Sequence, residues 1–185
     1  MGRYLNDDEK TAQFEAMVMP HLDGAYNLAR WLTGNAHDAE DLVQNACLRA
    51  FRFADSYRGG NARAWLMTIV RHTYFSTVRE ACGRRSDVAF DEALHGGLDT
   101  PAGLPLGGAG DPARAADSRD TARSVDRALA NLPAIFREVL VMKEMDDLSY
   151  KEIAQVTDLP IGTVMSRLAR ARKLLLSYLA PGEPS

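Results

Sequence analysis

Residues 149–176, SYKEIAQVTDLPIGTVMSRLARARKLLL, constrain the fold more than any other stretch of the chain. Ser149 and Glu152 have the S-x-x-E spacing of a capping box, in which each side chain satisfies a free backbone N–H at a helix start. Ile153, Ala154 and Val156 give the helix that follows a small apolar face. Asp158-Leu159-Pro160 ends it, because a residue before proline is pushed out of helical geometry. A second helix resumes by Thr163 and carries Arg167, Arg170, Arg172 and Lys173, with no acid between Ile161 and Ala180. Two short helices, a tight turn and a basic second helix make a helix-turn-helix, whose second helix enters the DNA major groove.

Charge qualifies this reading. The chain of 185 residues has a net charge of −3, whereas affinity for DNA comes largely from neutralising phosphates. The charge is uneven, however. Residues 58–85 hold Arg58, Arg63, Arg71, Arg79, Arg84 and Arg85 against the single acid Glu80. Residues 86–120 hold seven acids against Arg114 and Arg119. A chain of this kind touches DNA locally and binds weakly unaided, which suggests a reader working within a larger assembly. No apolar run is long enough to span a membrane. The opening MGRYLNDDEK lacks an apolar signal region, so a cytoplasmic location is expected. Cys47 and Cys82 show no paired spacing and read as buried free thiols.

Helical periodicity runs through the chain, and an all-α fold is expected. Helices are predicted over about Asp8–Met19, Pro20–Leu32 (closed by Gly34) and from just after Asn35 to about Ala54. After the loop Tyr57-Arg58-Gly59-Gly60, Asn61 can cap a fourth helix that ends at Gly83. Its Leu66, Ile69, Val70 and Thr73 fall at core-face spacing. Between His95 and Ala113 lie six glycines and three prolines, a composition that cannot bury enough surface to offset chain entropy. The expected division is a helical domain over 1–85, a flexible acidic linker over 86–116 and a helix-turn-helix domain over 117–181. In the last, Val125, Ala128, Leu129 and Leu132 form one apolar stripe. Ile135, Phe136, Val139, Leu140 and Met142 form another.

Together, LTGNAHDAEDLVQNACLRAF (32–51), NARAWLMTIVRHTYFSTVR (61–79) and LPAIFREVLVMKEMDDLSYKEIAQVTDLPIGTVMSRLARARKLL (132–175) resemble the bacterial sigma-70 family of RNA polymerase sigma factors, extracytoplasmic-function type. The resemblance covers nearly everything but the linker. It implies a region 2 helical bundle, a region 4 helix-turn-helix, and a protein that joins core RNA polymerase, recognises −10 and −35 promoter elements and assists melting. Asp38, Glu40, Asp41, Leu42 and Gln44 match the segment that docks on the β′ clamp helices. From the residues alone, the acids also suit a helix N-terminus as simple dipole compensation. A metal site built from His37 and these acids has little support, because adjacent helical residues diverge.

By the same resemblance, Tyr57, Arg58, Asn61, Arg63, Arg71, His72 and Arg79 are −10 candidates. The loop would cradle a base taken out of the stack, which needs an aromatic surface and groups that bond its edge. Trp65 suits the core better than stacking, and Tyr74 and Phe75 fit either place. Members often have Asn where this chain has His72 and Asp where it has Ser76. Thr163, Ser166, Arg167, Arg170 and Lys173 are the −35 candidates, with arginine suited equally to guanine edges and phosphates. Met165 replaces a frequent lysine. Leu132, Pro133, Phe136 and Val139 match residues that rest on the β flap, or else build the core. An anti-sigma protein is an expected further partner, and no cofactor, metal or small-molecule substrate is expected. Two alternatives remain: an adaptor that mimics a sigma factor to sequester an anti-sigma protein, and an independent helix-turn-helix regulator. An enzyme is disfavoured, since no Gly-rich phosphate loop, nucleophile motif or metal spacing appears.

Overall fold

A computed structural model describes residues 7–83 and 123–180, which are all-helical with short turns. The expected linker at 86–116 and the first residues of the expected C-terminal domain lie outside the described residues. The N-terminal half comprises α1 (Asp7–Val18), α2 (Leu22–Thr33), α3 (Ala36–Arg52) and α4 (Ala62–Gly83), with 3-10 turns at Met19–His21 and Ala54–Ser56. The C-terminal half comprises α5 (residues 123–130), α6 (Ala134–Glu144), α7 (Tyr150–Thr157) and α8 (Ile161–Leu179).

Local chemistry fixes the helix ends. Gly34 sits at φ 82°, a left-handed C-cap that glycine adopts without strain, and its N–H donates to Arg30 O at 3.0 Å. The Asn35 side chain then accepts from the Asp38 N–H at 2.8 Å and starts α3. Asn61 does the same for α4, accepting from the Ala64 N–H at 3.0 Å. The Ser149–Glu152 capping box forms in full, and Asp158 closes α7 in the left-handed region at φ 55°.

α2 buries Ala25, Leu28, Ala29 and Leu32, while α3 buries Ala39, Leu42, Ala46 and Ala50. Three of the four α3 positions are alanine, so α3 lies close to its neighbours. Leu66, Met67 and Val70 of α4 complete this core. In the C-terminal half, Leu129, Leu132, Val139, Leu140, Met142, Ile153, Val156, Val164, Leu168 and Ala171 are buried together.

The two halves do not stand apart. Their buried residues form one hydrophobic cluster, with α6 packed on α2 and α7 on α4. Both expected helical domains are present among the described residues, and helix faces that each half leaves apolar are covered by the other. Arg137 of α6 is 5% exposed and crosses this junction. It donates to Leu132 O at 2.9 Å and to Trp31 O at 2.7 Å. Trp31 is in the last turn of α2, where carbonyls lack helical partners and a cation suits the dipole.

Candidate nucleic-acid and partner interfaces

The loop before α4 is held tightly by its own residues. Tyr57 Oη donates to Gly60 O at 2.7 Å, and Gly59 and Gly60 take φ values of 83° and 111°. The Tyr57 and Trp65 rings meet at 5.2 Å with their planes tilted by 47°. A hollow of about 260 Å³ opens here, lined by Tyr57, Arg58, Asn61 and Trp65. Thus Trp65 both packs on the core and presents an aromatic wall, although its spacing favoured a core role alone. Gln155 of α7 also lines it.

Further along α4, the basic candidates separate. His72 and Arg79 are exposed and seven residues apart, on one stripe of the helix. Arg63 and Arg71 instead turn toward the C-terminal half. Arg63 donates to Asp146 O and approaches Asp146 Oδ1 at 3.7 Å. Arg71 grips Glu138 with two bonds, Nε to Oε2 at 2.7 Å and NH2 to Oε1 at 3.2 Å. Asn61, besides capping α4, donates its amide to Glu152 Oε1. The Arg71 guanidinium also lies 4.8 Å above the ring of Phe75, which is buried. Burial pushes the carboxyls of Glu138 and Asp146 upward in pKa, opposed by Arg71 at the first and by Asn27 and Arg63 at the second. Glu152 is held below its ordinary range, chiefly by hydrogen bonds from Ser149.

On α8, Ser166, Arg170 and Lys173 are exposed beside Met165, and Thr163 is half-buried. Arg167 departs from its expected outward placement. Its side chain is only 12% exposed, and NH1 lies 3.9 Å from Glu138 Oε1. The reason is register: Val164, Leu168 and Ala171 form the buried stripe, and Arg167 lies three residues from the first and four from the last.

On α3, Asp38, Glu40, Asp41 and Gln44 are exposed as a patch. Leu42, grouped with these residues as a polymerase-docking candidate, is 7% exposed and belongs to the core. It continues the Ala39–Ala46 face, so helical period places it inward. Leu48, 60% exposed, is the large apolar residue on the outer face of α3 instead. It follows Asp41 by seven residues and Gln44 by four, a spacing visible in the sequence but not used. Of the flap candidates, Leu132 and Val139 are buried in the core, while Pro133 and Phe136 reach the surface. Cys47 is half-buried, and burial raises its thiol pKa, which suits an unreactive packing residue.

Two family models match the chain: Sigma-70 region 2 over residues 17–81, and Sigma-70, region 4 over residues 122–175. The ECF RNA polymerase sigma factor SigW of Bacillus subtilis is 30% identical over 90% of this chain and 88% of its own length. The chain belongs to the ECF sigma factors. SigE of Mycolicibacterium smegmatis is 34% identical over 94% of this sigma factor, which spans 64% of SigE. Among solved structures, the sigma factor RpoE of Bartonella quintana, in complex with the anti-sigma factor NepR, superposes with a TM-score of 0.69 at 28% identity. That match covers 92% of this sigma factor and 99% of RpoE, so it takes in both halves. Relatives of this sigma factor are themselves sigma factors, which are not enzymes.

Proposed function

We propose that this sigma factor joins core RNA polymerase through the exposed acids of α3, reads the −10 element with α4 and its preceding loop, and reads the −35 element with α8. The acids Asp38, Glu40 and Asp41 with Gln44 and Leu48 meet the clamp helices of β′, a compact anionic face for partner arginines. Pro133 and Phe136 rest on the β flap. The Tyr57–Trp65 hollow, bordered by Arg58 and Asn61, takes a base out of the stack during melting. His72 and Arg79 track the phosphates beside it. Ser166, Arg170 and Lys173 enter the major groove, Arg170 reading a base edge.

One observation carries this reading: a single chain of the family combines an aromatic-walled, base-sized hollow at the start of a basic helix with a helix-turn-helix whose second helix is basic. The protein works in the cytoplasm as a subunit that lends specificity to polymerase rather than as an enzyme. The RpoE–NepR structure supports an anti-sigma protein as a further partner. Run-off transcription with purified core polymerase and a pool of genomic promoter fragments tests the reading. The expected result is start sites absent from reactions with core enzyme alone. Co-purification with polymerase but no transcript would instead identify a mimicking adaptor, and DNA binding without polymerase would identify an independent regulator.

A further inference from the structure

The first turns of α8 present no charge to solvent. Ile161 is 47% exposed and Met165 52%. Ala169, also exposed, follows at the same spacing of four, so these residues form an apolar row along the helix. Gly162 sits beside the row, and a side chain there would meet nothing within 4 Å, so this face stands open. The neighbouring row is Ser166, Arg170 and Lys173, all exposed. Ser166 Oγ donates to Thr163 O at 2.9 Å, Thr163 is half-buried, and Arg167 is folded inward toward Glu138. Arg170 is therefore the first cation that α8 turns outward. Further on, Arg172 is held by Glu144 at 2.6 Å.

In a helix-turn-helix, it is the N-terminal residues of the second helix that reach the base edges. An apolar row at that place can neither donate nor accept a hydrogen bond. Pressed against the amino group of cytosine or the acceptors of guanine, it would leave them desolvated and unpaired. Thymine alone carries a methyl group on its major-groove edge. We propose that Met165, flanked by Ile161 and Ala169, reads the C5-methyl of a thymine in the −35 element, while Arg170 supplies the polar contact beside it. The inference rests on the reading of α8 as the −35 face. Methionine suits the task, because its unbranched and polarizable chain can follow a methyl group closely. Its place is one where the resemblance gives a frequent lysine. A lysine there would reach a phosphate, which positions the protein on any sequence alike. Methionine exchanges that uniform attraction for a contact that depends on the base. Promoter choice by this sigma factor should accordingly lean more on sequence and less on salt.

The test uses holoenzyme on the strongest promoter recovered from the run-off pool. Each thymine of its −35 element, on either strand, is replaced in turn by deoxyuridine, which removes the methyl and keeps every hydrogen-bonding group. Binding is read by mobility shift across a salt series, and circular dichroism checks each variant's helicity. One replacement should weaken binding about fourfold, the loss of a single buried methyl. Met165→Ala should weaken binding to the unmodified promoter by a similar factor and erase the difference between thymine and uracil. Met165→Lys should erase it too, while tightening binding with or without the cognate element and steepening the salt dependence by about one counterion. Uracil tolerated at every position would overturn the proposal. So would a penalty that persists in Met165→Ala, or a −35 element without an A·T pair. Arg170→Ala and a scrambled −35 element test the underlying reading separately. If neither lowers binding, α8 is not the −35 face; if both do and uracil costs nothing, the methyl contact alone is wrong.

Discussion

Arg167 and Arg170 stand three residues apart on α8 and do different work. Arg170 is exposed on the helix face with Ser166 and Lys173, whereas Arg167 is folded inward toward Glu138. Arg170→Ala is expected to weaken binding to −35 duplex by about 1–3 kcal/mol, with an unchanged melting temperature. Arg167→Ala should lower the melting temperature instead, because a buried carboxylate loses part of its compensation, at a cost of about 1–3 kcal/mol. Fluorescence anisotropy and thermal denaturation of the two variants separate these effects. Glu152 carries a pH dependence of definite sign. Ser149 holds its folded-state pKa below the unfolded value, so its contribution is present above the ordinary glutamate range, about 4.3. That contribution is lost as pH falls through the depressed folded value. A carboxyl NMR titration should give Glu152 a midpoint below the ordinary glutamate value of about 4.3, and Ser149→Ala should raise it toward that value.

At the scale of the element, α3 shows how one helix divides between fold and partner. Its alanine-rich inner face packs against α2 and α4, while Asp41, Gln44 and Leu48 follow one another along the outer face. Asp41→Arg is expected to abolish co-purification with core polymerase, since like charges meeting across an interface cost several kcal/mol. Leu48→Asp should do the same through loss of the apolar anchor, and both variants should keep parental helicity. Leu42→Ala should give the opposite pattern: a destabilisation of about 2–5 kcal/mol in urea, with polymerase binding by the remaining folded protein retained. α4 is divided differently. Its inner face is core, its N-terminus frames the hollow, and one flank is covered by α7 and meets Glu138 of α6 through Arg71.

For the whole molecule, the junction between the halves makes them a cooperative unit. Arg137 satisfies carbonyls on both sides, and a single apolar cluster runs through both. Denaturant unfolding followed by Trp fluorescence, which reports the N-terminal half, and by hydrogen exchange in α7 and α8 should therefore give coincident transitions. Arg137→Leu removes the donor to Trp31 O and Leu132 O and should cost about 1–3 kcal/mol for each acceptor left unpaired. The two probes should then part, with separate midpoints for the halves. Coincident transitions in the variant would show that the apolar cluster alone couples them.

Helix limits, caps and the helix-turn-helix were legible in the residues, because each depends on neighbours within about four positions. Asn61, Ser149 and Glu152 cap as their spacing predicts, Gly34 closes α2, and Asn35 caps α3 by the same local chemistry. The acidic face of α3 and the exposed face of α8 follow from the same short-range period. Arg167 lies at the edge of the buried stripe of α8, where packing decides which way a side chain turns, whereas Leu42 continues the Ala39–Ala46 face that the short-range period already places inward. The sequence by itself therefore determined the elements and the kinds of surface they carry. Tertiary structure alone decided that Asn61 meets Glu152, Arg63 meets Asp146 and Arg71 meets Glu138, across separations of 91, 83 and 67 residues. No local pattern selects one acid for one arginine at such distances. The choice follows from how two apolar faces dock, and docking carries every charge on those faces with it.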